Sequence, residues 1–69
     1  MSKRSEYIDE CDLLYQEIVV LCDQGKIQVF HKNHMRQLFQ KVEDSMSVIA
    51  LENNMSLVRR LHKELTEGK

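Results

Sequence analysis

The stretch Asp44-Ser-Met-Ser-Val-Ile-Ala-Leu-Glu-Asn-Asn54 decides how many helices this chain forms, because a helical apolar pattern enters it on one face and leaves it on another. The incoming pattern ends at Ile49 and the outgoing one starts at Leu51, and a step of two residues turns a helix by about 200°. Either one long helix exchanges its buried face here, or the chain breaks. The first four residues of the stretch and the Asn53-Asn54 pair are the two candidate break points, and Ser47 is the candidate N-cap of a new helix.

A first helix is predicted near residues 5–24. Ser5 is its candidate N-cap, acidic residues follow where the helix dipole favours them, and Gly25 supplies the left-handed residue that ends many helices. A connector at 25–30 follows, and a second helical segment, long or broken near 44–54, covers residues near 30–67. Helical spacing predicts two sets of inward-facing residues: Ile8, Cys11, Leu14, Tyr15, Ile18, Leu21 and Cys22 in the first helix, and Leu38, Phe39, Val42, Met46 and Ile49 in the second segment.

Length and composition restrict the fold class. The 69 residues are 42% hydrophobic and 30% charged, with no Pro and two Gly, which fits neither a disordered chain nor a turn-rich β fold. We therefore expect a single all-α domain over residues 1–69, built as a helical hairpin. So short a chain has a small core, and the first helix is apolar almost all round at 19–22, which is more than one partner helix can cover. The expected assembly is a homodimer, forming a dimeric helical bundle.

The net charge of −1 hides an uneven distribution. Residues 1–25 hold six acidic and two basic side chains, whereas residues 26–69 hold eight basic and five acidic ones. We expect the two parts to pack together so that their charges partly cancel. The molecule as a whole has no field that would attract it to DNA or to an anionic membrane, and its apolar runs are far shorter than the roughly 20 residues of a membrane span. With no apolar signal segment after Met1, the expected location is cytoplasmic.

Side chains that could carry chemistry are few. Cys11 and Cys22 share a helix face but lie about 16 Å apart at 1.5 Å per residue, too far for a disulfide, so both are expected as reduced thiols. His31 and His34 could contact one metal ion, but a zinc site needs three or four ligands. The sequence has no nucleophile and base in a known order, no glycine-rich phosphate loop and no pocket-forming carboxylate pair. We expect no enzyme activity, no metal and no cofactor.

Residues 49–61 resemble the centre of a helix-turn-helix DNA-binding unit. In that family a small residue lies four before the turn, here Ala50 before Asn54, and an apolar residue and a cap follow the turn. The resemblance implies a recognition helix from which Arg59 and Arg60 reach phosphates and guanine edges. The family also has an apolar residue four after the cap, where this chain has Arg60. A nucleic-acid-binding regulator with a degenerate helix-turn-helix is the alternative function.

Arg59, Arg60 and Lys63 form a cationic ridge on the predicted last helix, which is either a solvated face or a docking site for an acidic surface of a protein partner. In length, helical character and the pairing of an acidic first helix with a basic last one, the chain resembles small phage-encoded proteins that bind and disable host regulators, including quorum-sensing anti-activators. It is similar in architecture to small helical-hairpin dimers that modulate plasmid RNA. The first resemblance implies a small protein-binding regulator, an inhibitor of a host regulatory protein such as a transcription factor, and transfers no residue roles.

Overall fold

Residues 3–67 form three α-helices joined by two short turns. The structure is a computed structural model that describes residues 3–67; within them α1 spans Lys3–Asp23, α2 spans Val29–Glu43 and α3 spans Val48–Thr66, with no β-strand. Each helix packs against the other two. The bundle measures 35 × 18 × 17 Å, and α3, about 28 Å long at 1.5 Å per residue, must therefore run along the long axis. The all-α prediction is confirmed, but the second segment is broken, so the architecture has three helices and is not a two-helix hairpin.

The break lies at residues 44–47, and capping at both helix ends explains its position. As α2 ends, the backbone N–H of Asp44 donates to the carbonyl oxygen of Gln40 at 2.9 Å, and that of Ser45 donates to the carbonyl oxygen of Val42 at 3.2 Å. Ser47 has an extended backbone, and its hydroxyl accepts from the N–H of Ala50 at 3.1 Å. This bond satisfies one of the free N–H groups at the start of α3. The prediction of Ser47 as an N-cap is confirmed.

Asn54, a candidate break point in the sequence, lies inside α3, and its side chain stabilises the turn at 44–47. Its side-chain nitrogen donates to Ser45 Oγ at 2.9 Å and to the carbonyl oxygen of Lys41 at 3.2 Å. The Ser45 hydroxyl donates to the same carbonyl oxygen at 2.8 Å. Because Ser45 is buried, these bonds satisfy a hydroxyl that water reaches poorly. We call Lys41, Ser45 and Asn54 the turn clamp, since it fixes the end of α2 against the middle of α3.

The turn between α1 and α2 depends on Gly25. Its φ of 75° lies in the left-handed region that favours glycine. The N–H groups of Gly25 and Lys26 donate to the carbonyl oxygens of Cys22 and Leu21 at 3.0 and 2.9 Å, which is the hydrogen-bond pattern of a Schellman motif. Gly25 therefore ends the first helix, as the sequence predicted.

The first turns of α1 and α2 differ from the sequence prediction. Helix α1 begins at Lys3, so the predicted N-cap Ser5 lies inside it. Helix α2 follows Gln28, whose backbone N–H donates to Nδ1 of His31 at 3.2 Å. His31, considered above as half of a metal-binding pair, thus has a structural role as part of a helix cap.

The core is formed by two buried side chains from α1 and three each from α2 and α3: Cys11, Ile18, Met35, Leu38, Val42, Leu51, Met55 and Val58. Around them pack half-buried residues that were predicted to face inward: Ile8, Leu14, Tyr15, Leu21 and Phe39. Cys22 is also half-buried, and it and Cys11 are free thiols. The Cys11 Sγ atom lies 3.3 Å from Met55 Sδ, so the centre of the bundle is a sulfur contact between α1 and α3.

Met46 and Ile49 are not part of the core, which corrects their predicted inward orientation. They are 94% and 75% exposed. Met46 lies in the 44–47 turn, where the helical period that predicted its orientation does not apply. Ile49 lies in the first turn of α3, whose inward face is set by Leu51 and Met55. The change of face noticed in the sequence is therefore the start of a new helix.

The apolar surface that predicted a homodimer is covered within the chain. Ile18 is fully buried, and α1 packs against both α2 and α3. The second contact that residues 19–22 require is therefore a third helix of the same chain. Of those four residues, only Val20 is exposed, so this part of α1 no longer argues for a second subunit.

Candidate functional site

A groove of about 400 Å³ lies between α2 and α3 and is lined by residues of these two helices alone. It therefore opens on the side of the bundle away from α1. Its floor is apolar and its rim is mostly basic: the floor is formed by Leu38, Leu57 and Leu61, and the rim by His34, Lys41, Arg60 and Glu64. We call this feature the α2–α3 groove.

Leu57 is the accessible part of the floor. It is 45% exposed, since it lies about 100° around α3 from the fully buried Val58. Leu61, one turn later, is half-buried, and Leu38 on the opposite wall is buried. A single exposed leucine is ordinary, but this one continues into an apolar floor. Leu57 was not predicted as a binding residue, although its spacing of four from Leu61 and three from Arg60 was a usable signal.

The rim of the α2–α3 groove carries more positive than negative groups. Arg60 Nε lies 3.5 Å from a carboxylate oxygen of Glu64, and both side chains are largely exposed, so this pair is weak and easily exchanged for another. Lys41 and His34 form no ion pair with a carboxylate within residues 3–67. Two basic side chains of the rim are thus free to pair with an incoming acidic group.

Arg59, predicted to bind a partner, is engaged inside the bundle. Its Nε and a terminal nitrogen donate to the two carboxylate oxygens of Glu10 at 2.7 and 2.8 Å. Its guanidinium carbon lies 5.4 Å from the centre of the Tyr7 ring, within cation–π range. The hydrogen bond from Arg59 holds the pKa of the Glu10 carboxyl below its usual value, against the opposing effect of partial burial. Arg59 therefore links α3 to α1.

The cationic ridge is divided among three directions. Arg59 faces α1, Arg60 lines the α2–α3 groove, and Lys63 is exposed to solvent. A rotation of about 100° between successive residues produces this separation. The structure thus places only Arg60 at the groove, and the three residues do not form one surface.

Further contacts join the acidic α1 to α3. His62 Nε2 contacts a carboxylate oxygen of Glu17, and Lys3 Nζ lies 3.1 Å from a carboxylate oxygen of Glu52. The hydrogen bond to Glu52 raises the pKa of the Lys3 ammonium. With the Arg59 pair, these contacts run along the α1–α3 boundary, so part of the opposite charge of the two sequence halves is neutralised within the chain.

The predicted helix-turn-helix at 49–61 is wrong in its geometry. These residues lie inside the uninterrupted helix α3, and Asn54, at the required turn, belongs to the turn clamp.

Two other depressions are smaller. One of about 220 Å³ between α1 and α2 has acidic and basic groups mixed, with Asp12 and Glu43 beside Arg36. The other, about 190 Å³, lies at the end of the bundle beside the exposed Met46 and Val48. The second depression also has basic lining residues, but both are engaged: Lys3 pairs with Glu52, and Arg4 donates to the carbonyl oxygen of Glu43. The α2–α3 groove is larger, and its Lys41 forms no ion pair within residues 3–67, so this groove is the candidate site.

Comparisons with known proteins add no identity: the chain matches no protein-family model, no curated protein and no solved structure. Within residues 3–67, no helix has the length and apolar character needed to cross a membrane. The same residues contain no group of three or more His, Cys, Asp or Glu side chains arranged to hold a metal ion. The geometry of the α2–α3 groove is therefore the main indication of function.

Proposed function

We propose that this chain is a small cytoplasmic protein-binding regulator whose α2–α3 groove receives an acidic amphipathic helix of another protein. The observation that carries the proposal is the accessible Leu57 on an apolar floor, with Lys41 and Arg60 on the rim. An amphipathic helix that lies in a groove between two helices is a recurrent mode of protein recognition.

The chemistry of the groove specifies the partner helix. Leu57 and Leu61 lie one helical turn apart, about 6 Å, so a complementary helix offers two or three apolar side chains at spacings of three and four. The basic rim favours Asp or Glu beside those side chains, and Arg60 can form a two-pronged contact with a carboxylate. Such a regulator acts by occupying a helix that its partner needs elsewhere, and we propose inhibition of a regulatory protein, such as a transcription factor, as the effect.

A direct test uses two synthetic helical peptides. The first has leucines at spacings of three and four flanked by glutamates, and the second has lysines in place of the glutamates. In NMR titrations we expect the acidic peptide to shift the amide signals of groove residues, Leu57 above all, and the basic peptide to leave them unchanged. Equal shifts with both peptides, or shifts centred on α1, would contradict the proposal.

Variants then connect the groove to a natural partner. Leu57→Asp places a carboxylate on the groove floor and should weaken binding at least tenfold, since an acidic helix meets a buried like charge. Ile49→Asp is the matched control, because it changes an equally apolar, exposed residue of α3 outside the groove. A protein that is captured from the source cell by the parent and by Ile49→Asp, but not by Leu57→Asp, is a groove partner. Capture by all three proteins would refute the assignment of the groove.

Nucleic-acid binding is tested in parallel. Binding to duplex DNA is measured at about 50 and 200 mM salt for the parent and for Arg60→Glu. Each lost phosphate contact reduces the log–log salt slope by about 0.9. Salt-sensitive duplex binding that the substitution weakens would favour the alternative function, while no binding at the lower salt leaves the protein partner as the target.

A further inference from the structure

Helix α1 carries a second accessible apolar surface, on the side opposite the core. Leu13 and Val20 are 64% and 51% exposed, and they lie about 180–200° around the helix from the buried Cys11. Glu6 and Asp9 lie on the same side and are also exposed. We call Glu6, Asp9, Leu13, Gln16 and Val20 the α1 outer face.

The charge of the α1 outer face has one sign. Between Ser5 and Gly25 the chain contains six acidic side chains and no Lys, Arg or His. Glu10 and Glu17 are engaged by α3, but Glu6 and Asp9 form no ion pair within the described part of the chain. The α1 outer face is therefore an acidic amphipathic helix surface, the chemistry that the α2–α3 groove favours.

We infer that the α1 outer face of one copy of this chain docks into the α2–α3 groove of a second copy. The inference rests on the proposed role of that groove as a site for acidic helices. The lengths of the two surfaces agree. The α2 wall of the groove extends from His34 to Lys41, which is about 10.5 Å along the helix, and Leu13 and Val20 on α1 are separated by the same distance.

Charge disfavours the two symmetric alternatives. A contact between two α1 outer faces joins two acidic surfaces, and a contact between two grooves joins two basic rims. Like charges across an interface are costly. The contact between α1 and the groove pairs acidic with basic groups, and it covers Leu13 and Leu57 at once.

The geometry makes this assembly head-to-tail. The α1 outer face and the α2–α3 groove open on opposite sides of the bundle, so one copy can use both surfaces at the same time. Contacts of this type form open chains or rings and not a closed two-fold dimer. The single-helix contact is small, so the assembly is reversible and concentration-dependent. Self-association and partner binding then compete for the same groove.

The test uses two complementary variants. Leu13→Arg places a cation on the α1 outer face and leaves the groove intact, while Leu57→Asp does the reverse. In sedimentation equilibrium at low salt, the average molar mass of the parent should rise above the 8.2 kDa of the monomer as the concentration increases. Each variant alone should associate at least tenfold more weakly. An equimolar mixture of the two variants should form a one-to-one complex, because one intact groove and one intact α1 outer face remain. Ile49→Asp is the control and should assemble like the parent, and circular dichroism checks that every variant is folded.

The outcomes separate this inference from the proposed function. A parent that stays monomeric at millimolar concentration, a variant that still assembles alone, or a mixture that stays monomeric would each overturn the head-to-tail contact. Loss of assembly in Leu13→Arg with retained binding of the acidic peptide supports both the inference and the groove. If the parent is monomeric but binds the acidic peptide through Leu57, the groove function stands and self-association is wrong.

Discussion

Replacing Asn54 by Ala should lower the free energy of unfolding by about 1–2 kcal/mol. The substitution removes two hydrogen bonds of the turn clamp, to Ser45 Oγ and to the carbonyl oxygen of Lys41, each contributing about 0.5–1.5 kcal/mol. Against this loss, Ala has a higher helix propensity than Asn by about 0.5 kcal/mol inside α3. A loss of stability therefore indicates that Asn54 acts as a clamp, whereas replacing an ordinary exposed helical asparagine by Ala would stabilise the protein.

Thermal and urea unfolding measure this difference. In a domain of this size, 1 kcal/mol changes the midpoint temperature by about 4–8 °C, so the loss should be easily resolved. Asn53→Ala is the matched control, because Asn53 is exposed on the same helix and should gain a few tenths of a kcal/mol. Adding Ser45→Ala to Asn54→Ala should cost less than the two separate effects combined, since both residues share a hydrogen bond. If Asn54→Ala unfolds at or above the midpoint of Asn53→Ala, the clamp does not stabilise the break between α2 and α3.

Two further predictions concern titratable groups. Because the hydrogen bond from Arg59 lowers the folded-state pKa of Glu10 from its ordinary value of 4.5, the stabilisation is present above that value and is lost as the pH falls through the folded-state pKa. Glu10→Gln should therefore flatten the dependence of the free energy of unfolding on pH in this acidic range. The change should be about 0.5–1 kcal/mol, the size expected of so exposed an ion pair, and an unchanged pH profile would refute the role of the pair. Burial raises the pKa of the Cys11 thiol to about 11, so at pH 8 a thiol reagent should modify the half-buried Cys22 first and Cys11 only after denaturation; equal rates in the folded protein would contradict the core position of Cys11.

Local signals in the sequence were sufficient for the all-α class and for two of the helix ends, but not for the number of helices or for which side chains pack together. Gly25 and Ser47 act within one or two turns of chain, so their roles could be predicted from residue type and spacing. The orientation of Ile49 could not, because it depends on whether α3 is a new helix with its own inward face. The helical period assigned Met46 to a helix that had already ended at the turn. The hydrogen bond from Asn54 to Ser45, nine residues apart, stabilises the turn between α2 and α3, and no local pattern contains it.

At the candidate site, too, the sequence did not predict which way individual side chains face. Arg59 and Arg60 are adjacent and chemically identical, and the sequence places both on the last helix. Packing of α1 against α3 directs Arg59 to Glu10, while Arg60 falls on the side where α2 and α3 meet. Exchanging both arginines at once would therefore mix a loss of stability with a loss of binding. For this reason Leu57 is the sharper probe of the groove: it is accessible, and it lies outside the core cluster and the side chains packed against that cluster, so its substitution changes the proposed interface with less effect on stability.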